Sequence, residues 1–310
     1  MTGPPRNVWA DHHQNGLRWD CFTSKNSCTI RYGKAEAAPG GKRGVVLLLN
    51  GRSEFMEKYN EVVSELVHRR YTVFSLDWRG QGLSCRETAN RHKGYVENYE
   101  DYLYDLDLFY TRFVKAEGLP VTLVAHSMGG HIALRFMGNN PGSIKNAFLV
   151  SPMIDINTAP FPGTLARFLA RKACAAGFSR HYVLGGRDYC PEQNPFKGNI
   201  LTHDPERFLM EKKGIAENPD LALGGVTWGW LKASFDSIDL VKRRAFTAGI
   251  KTPIVLVSAE EDAVVSTSAQ KRLCGQLPNC RFVSIPGAFH EIFHETDRIR
   301  QVFWTHFDQR

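Results

Sequence analysis

Residues 121 to 130 read VTLVAHSMGG: a short run of β-branched and apolar residues stops at a polar pair and passes into two glycines. Val121, Leu123 and Val124 suit a buried strand, and Gly129 and Gly130 suit a tight exit into a helix. A serine at such a corner is forced into strained backbone geometry, its Oγ exposed and the N-terminus of the next helix beneath it. The corner closes only between small neighbours, and Ala125 and Gly129 flank Ser127 at the two close-approach positions. The stretch therefore reads as a nucleophile elbow with alanine in place of the first glycine of G-x-S-x-G. An ordinary βα turn rich in small residues has the same composition, so partners for Ser127 must be found elsewhere in the chain.

With 310 residues the chain suffices for one large α/β domain or a domain carrying an insertion. Folding at this size buries roughly 75% of the unfolded surface, so a sizeable core is available. Hydrophobic content of 43% and charged content of 23% are those of a soluble globular protein. No apolar run reaches the ~18 residues a membrane span needs, which excludes an integral membrane protein. The opening MTGPPRNVWADHHQNG has Pro, Gly and His where a secretory signal needs a continuous apolar core, so export by that route is not expected. Seven cysteines, odd in number and without a C-x-x-C pair, argue against a zinc knuckle and a fully paired disulfide framework. Reduced thiols and a cytoplasmic location are the expectation. The net charge of +7 comes from scattered basic residues with no long Lys/Arg run, which predicts a solvated basic surface and no nucleic-acid partner.

Working outward, LRWDCFT (17–23) and CTIRYGK (28–34) read as an antiparallel hairpin at a sheet edge. GVVLLLN (44–50) is a continuous apolar run of the kind buried on both faces of a parallel sheet. It ends in NGRSEFMEKY, where Gly51 lets the backbone turn and leaves amides pointing above the sheet. The Arg52 amide is the oxyanion-donor candidate, with the Met128 amide as its partner; alone, Asn50 and Gly51 are equally strand-end turn chemistry. A helix at 57–69, the strand TVFSLDW and the glycine loop DWRGQGLS (77–84) follow. Apolar residues at 99, 102, 103, 106, 109, 110 and 113 keep the spacing of an amphipathic helix. Alternating strands and helices predict an α/β fold with a mostly parallel twisted sheet flanked by helices. After the strand IKNAFLVSP the composition changes: 153–245 has no apolar strand runs but many aromatics, Pro and Gly, and helical fragments. An insertion of this length over the carboxyl ends of the strands predicts a mainly helical cap between core segments 1–152 and 246–310.

A serine hydroxyl needs an imidazole to accept its proton and a carboxylate to orient that imidazole. Asp262 follows the strand TPIVLVSA, and Glu260 and Glu261 are its less natural rivals. His290 follows the strand RFVSI in the loop PGAF, just before the last amphipathic helix. The order Ser127, Asp262, His290 is that of a serine hydrolase built on an α/β sheet. His126 adjoins the nucleophile and is expected to point to the other side of the elbow; His131 lies one turn along the helix, and His203 has no strand-end loop to fix it. Residues 290–294, HEIFH, also match the zinc-protease string H-E-x-x-H. That chemistry needs both histidines on one helix face and a third ligand, whereas PGAF puts His290 at or before the helix start. His294 is therefore expected to be an ordinary helix residue, with no metal and no other cofactor bound.

Together with GRSEFMEKY, DWRGQGLS, AHSMGG, NILTHDPERF and GGVTWGWLKAS, these features resemble the α/β-hydrolase superfamily. The resemblance is to the serine-hydrolase branch of lysophospholipase L2 and the monoacylglycerol lipases, and it runs through the cap. Asn50 stands where that branch commonly has His, and Ala125 where it has Gly; both bear on the substrate, not the reaction. The resemblance implies hydrolysis of a lipid-like carboxylic ester, a lysophospholipid or monoacylglycerol, through an acyl-serine intermediate. It implies an acyl site shaped by Phe161, Trp228 and Trp230, and leaves peripheral membrane contact open. Peptidase, thioesterase or acyltransferase chemistry on the same residues, and a ligand-binding relative without activity, are the alternatives. Oligomeric state is not encoded in any of these features.

Overall fold

The computed structural model describes residues 16–193 and 195–309. The strands are β1 (Arg18–Thr23), β2 (Thr29–Ala35), β3 (Gly44–Leu49), β4 (Tyr71–Leu76), β5 (Val121–His126), β6 (Asn146–Val150), β7 (Ile254–Ala259) and β8 (Cys280–Ile285). They form one sheet in the order β1-β2-β4-β3-β5-β6-β7-β8. The first hairpin joins antiparallel to β4, and every later pairing is parallel. The central strands are wholly buried because both sheet faces are covered. Along β3 the side chains divide by strand period: Val45, Leu47 and Leu49 pack on one face, Val46 and Leu48 on the other.

One face carries α2 (Tyr99–Phe109), α3 (Ser127–Asn139) and α8 (Thr267–Cys274); the other carries α1 (Asn60–His68) and α9 (Asp297–Asp308). The apolar spacing predicts α2 to run to 113, but after Phe109 the backbone widens into a π turn, Tyr110–Val114, which keeps Tyr110 and Val114 buried. Between β6 and β7 lie the helices of the cap, α4 (Gly163–Ala175), α5 (Pro205–Glu217) and α6 (Trp228–Val241), followed by the short α7 (Arg244–Gly249) at the return to the core. No helix among the described residues is long and apolar enough to cross a membrane.

The expectation of reduced thiols is corrected. Cys28 is bonded to Cys85, and Cys274 to Cys280. Pairing by sequence spacing fails here because the first bridge closes 57 residues between the start of β2 and a distant loop. Four of seven cysteines are thus oxidised, and the cytoplasmic location loses the support the thiols lent it.

Candidate active site

β5 ends at His126 and α3 starts at Ser127, so this serine is the first residue of a helix. Its φ is 49°, a left-handed value that a non-glycine residue keeps only when its surroundings impose it. The surroundings are visible at Gly129, where a Cβ would lie 2.4 Å from the Asn50 carbonyl oxygen and 2.7 Å from that of Leu49. The elbow is therefore pressed directly against the end of β3, the strand that leads into the Arg52 loop.

The loops after β7 and β8 supply the other two groups. His290 Nε2 is 3.0 Å from Ser127 Oγ, and His290 Nδ1 is 2.7 Å from Asp262 Oδ2. The second Asp262 oxygen accepts from the Val264 and Val265 amides at 2.8 and 3.0 Å, which fixes the carboxylate. With Nδ1–H donated to Asp262, Nε2 offers its lone pair to the serine hydroxyl, the arrangement that can accept a proton. Glu260 and Glu261 lie exposed beside this chain of bonds and take no part in it.

Three other histidines differ from expectation or from one another. His126 does not point away: its ring centroid is 4.9 Å from that of His290, because the end of β5 turns the ring toward the base loop. His203 is fixed after all, with Nδ1 2.7 Å from Glu295 and its ring stacked on Phe289. His131 packs in α3 against Ser237 at 2.7 Å, and burial with Arg135 nearby pushes its pKa down to about 3.

The HEIFH string does not form the helical zinc motif. Both His290 nitrogens are engaged by Ser127 and Asp262, and His294 lies in a 3-10 turn, Ile292–His294, before α9. His294 is thus corrected from a helix residue to a buried turn residue bonded to the Lys58 carbonyl at 3.0 Å. Glu54, Glu291 and His294 approach one another closely enough to hold a cation. The Lys58 ammonium already occupies that neighbourhood, 2.7 Å from Glu291, 2.5 Å from Glu211 and 3.5 Å from Glu54.

This charged cluster escaped the sequence reading. Burial lowers the Lys58 pKa, but the three carboxylates outweigh it and hold the group well above its usual range. Burial raises Glu211, and neighbouring carboxylates add to that. Glu54 is pushed up by burial, yet His126 and Lys58 hold it well below the usual carboxylate range. Its Oε2 accepts from the Gly51 amide and, at 2.6 Å, from the Tyr59 hydroxyl. Gln81 holds the same loop from outside, donating to the Gly51 and Glu54 carbonyls at 2.7 and 3.0 Å. The available signal was GRSEFMEKY, in which Glu54 and Lys58 are four apart.

Ser127 and His290 open into a cavity of about 550 Å³ beneath the cap. Phe161, Trp228 and Trp230 all line it, Trp230 buried and Phe161 45% exposed at the mouth. Further apolar walls come from Ile156, Leu169, Val226 and Leu231, while Arg52, Lys58, Glu211 and Glu291 form a charged wall. The Arg52 guanidinium donates to the Gly224 carbonyl at 2.5 Å and lies over the Trp230 ring, joining the loop after β3 to the cap.

Known proteins with similar sequences or folds bear on this geometry. Lysophospholipase L2 of Escherichia coli K12 is 31% identical over 290 residues, covering 91% of this chain and 83% of that protein. Monoacylglycerol lipase of Mycolicibacterium smegmatis is 23% identical over 266 residues, covering 83% and 84%. A soluble variant of the Saccharomyces cerevisiae monoglyceride lipase, solved with a substrate analog, superposes with a TM-score of 0.76 at 18% identity, covering 99% of this chain and 97% of that one. The family described as serine aminopeptidase, S33, matches residues 40–297. The chain belongs to this serine aminopeptidase S33 family and has the α/β-hydrolase fold.

Proposed function

We propose that the protein is a serine hydrolase that cleaves the carboxylic ester of a lysophospholipid or monoacylglycerol through an acyl-serine intermediate. His290 takes the Ser127 proton as Oγ attacks the acyl carbon, and Asp262 stabilises the imidazolium that forms. The Met128 amide, in the first turn of α3 and free of an intrahelical acceptor, and the Arg52 amide stabilise the oxyanion. His290 then protonates the leaving alcohol, and water releases the acid by the reverse sequence of proton transfers. Phe161, Trp228 and Trp230 shape the acyl site, and we set the cap at residues 153–245 between the two core segments. No cofactor enters this chemistry.

One observation carries the reading: the Ser127–His290–Asp262 chain of bonds opens into a cavity walled mostly by apolar side chains. Its similarity to lysophospholipase L2 and monoacylglycerol lipase supports the substrate class. The test is turnover of lysophospholipid, monoacylglycerol, thioester and aminoacyl substrates by wild type and Ser127→Ala, with fluorophosphonate labelling of both. Labelling that survives in Ser127→Ala overturns the assignment; activity unchanged by a chelator is expected.

Aminopeptidase activity is a second reading, favoured by the family description, which matches residues 40–297. Aminoacyl turnover exceeding that of every ester would establish it. For location we propose peripheral contact with a membrane surface. Phe161, just before α4, and Leu165 and Phe168 within it are 45, 41 and 56% exposed, and the same helix carries the basic Arg171 and Lys172.

A further inference from the structure

The His126 ring touches three parts of the candidate site at once. Its own backbone precedes Ser127; its Nδ1 is 3.1 Å from Glu54 Oε2, and its Nε2 is 3.2 Å from the His290 carbonyl oxygen. Glu54 in turn accepts the Gly51 amide, so the ring reaches the oxyanion loop through one carboxylate. Gly51 is packed so closely on this pair that a Cβ would lie 2.7 Å from Glu54 Oε2 and 3.0 Å from His126 Nδ1.

Both ring nitrogens therefore face oxygens that can only accept. A neutral imidazole has one N–H and one lone pair, so one of the two contacts would set a lone pair against an oxygen. Two protons on the ring satisfy both. Glu54 is well suited to remain ionised, because Tyr59, Gly51 and Lys58 surround it with donors and positive charge. We infer that His126 is a positioning residue of the proposed hydrolase: a buried imidazolium that ties the His290 loop to the oxyanion loop beside the nucleophile. This rests on the serine-hydrolase reading above and adds to it a residue that does not touch substrate.

The surrounding charges agree with that role. Facing His126 are Glu54 from the loop after β3, Lys58 and Tyr59 from the turn Met56–Tyr59 behind it, and His290, Glu291 and His294 from the segment before α9. Asp262 reaches the group through His290, and Glu211 of α5 through Lys58. Burial lowers the His126 pKa, but Glu54 outweighs it and raises the value above the ordinary one.

The experiment is the steady-state kinetics of wild type and His126→Gln on one ester substrate, together with ring ¹⁵N spectroscopy. Gln keeps a donor and loses the charge. At the optimum kcat is expected to fall about tenfold with KM changed less than about twofold. Ring ¹⁵N shifts of the wild-type protein at pH 7 are expected to show both His126 nitrogens protonated, and Glu54→Gln to show one. An unchanged kcat in a folded His126→Gln, or a singly protonated His126 in wild type, overturns the inference. Should His126→Gln not fold, the ¹⁵N measurement on wild type decides alone. Loss of fluorophosphonate labelling in wild type would instead overturn the hydrolase reading itself, so the two failures are distinguishable.

Discussion

A single methyl group at position 129 would collide with two carbonyl oxygens of β3 and its end, and backbone cannot swing aside as a side chain can. Gly129→Ala is expected to cost about 1–3 kcal/mol of stability and, on the proposed mechanism, at least tenfold in kcat, since relief must move either Ser127 or the Arg52 loop. Urea unfolding and steady-state kinetics of the variant check this. Asp262→Asn removes the carboxylate that fixes the His290 tautomer, and a fall in kcat of about 10³–10⁴ is expected with folding intact. At this scale Ser127, Asp262 and His290 were legible because each sits in a local string: a small-residue corner or the end of an apolar strand. His126 was not. Its neighbours, Glu54 and the His290 carbonyl, are 72 and 164 positions away, and nothing local tells which way a strand-end ring will turn.

Between elements, the buried Lys58 joins the turn after β3 to α5 of the cap and to the segment before α9. Replacing it by Met leaves three carboxylates facing one another, and a loss of about 3–5 kcal/mol is expected, partly restored by adding Glu211→Gln. Thermal unfolding of the single and double variants tests this; equal midpoints for both would show that Glu211 is not the group Lys58 neutralises. The disulfides differ in the same kind of measurement. Loop-closure entropy assigns about 4 kcal/mol to Cys28–Cys85, spanning 57 positions, and about 2 kcal/mol to Cys274–Cys280, spanning 6. Cys28→Ala with Cys85→Ala should therefore destabilise the protein more than the other double substitution. The alternation of strands and helices and the mostly parallel sheet were readable from apolar runs, whereas the order of strands in the sheet was not. The Lys58 cluster was hidden because charged residue types ordinarily mark solvent, and here partners 153 and 233 positions distant permit their burial.

For the whole molecule, pH dependence of stability follows from histidines buried without charge. Burial and Lys58 push His294 down to about 4, and burial and Arg135 push His131 to about 3, from an ordinary value of 6.5. In that interval the unfolded chain binds more protons than the folded one, so stability is lost as pH falls from about 6.5 toward 4. Between pH 7 and pH 5 the loss should be about 4 kcal/mol, shared by the two groups, and His294→Gln should remove roughly half of it in urea midpoints taken at those two pH values. His126, raised by Glu54, acts in the opposite sense: its contribution is complete below its ordinary value and is lost as pH rises through its folded one.

The cap is attached unevenly. α5 is riveted to the core: Lys58 holds Glu211, Arg207 bonds Glu61 at 2.7 and 2.8 Å and Asp297 at 2.6 Å, and Thr202 and His203 bond the segment before α9. α4 instead rides mainly on its fellow cap helix α6, through Arg167 to Asp239 and over the Phe235 ring. The cavity therefore has two unlike sides, and on the proposed reading the acyl chain lies on the α4 side, by Phe161, away from the charged wall of Lys58, Glu211 and Glu291.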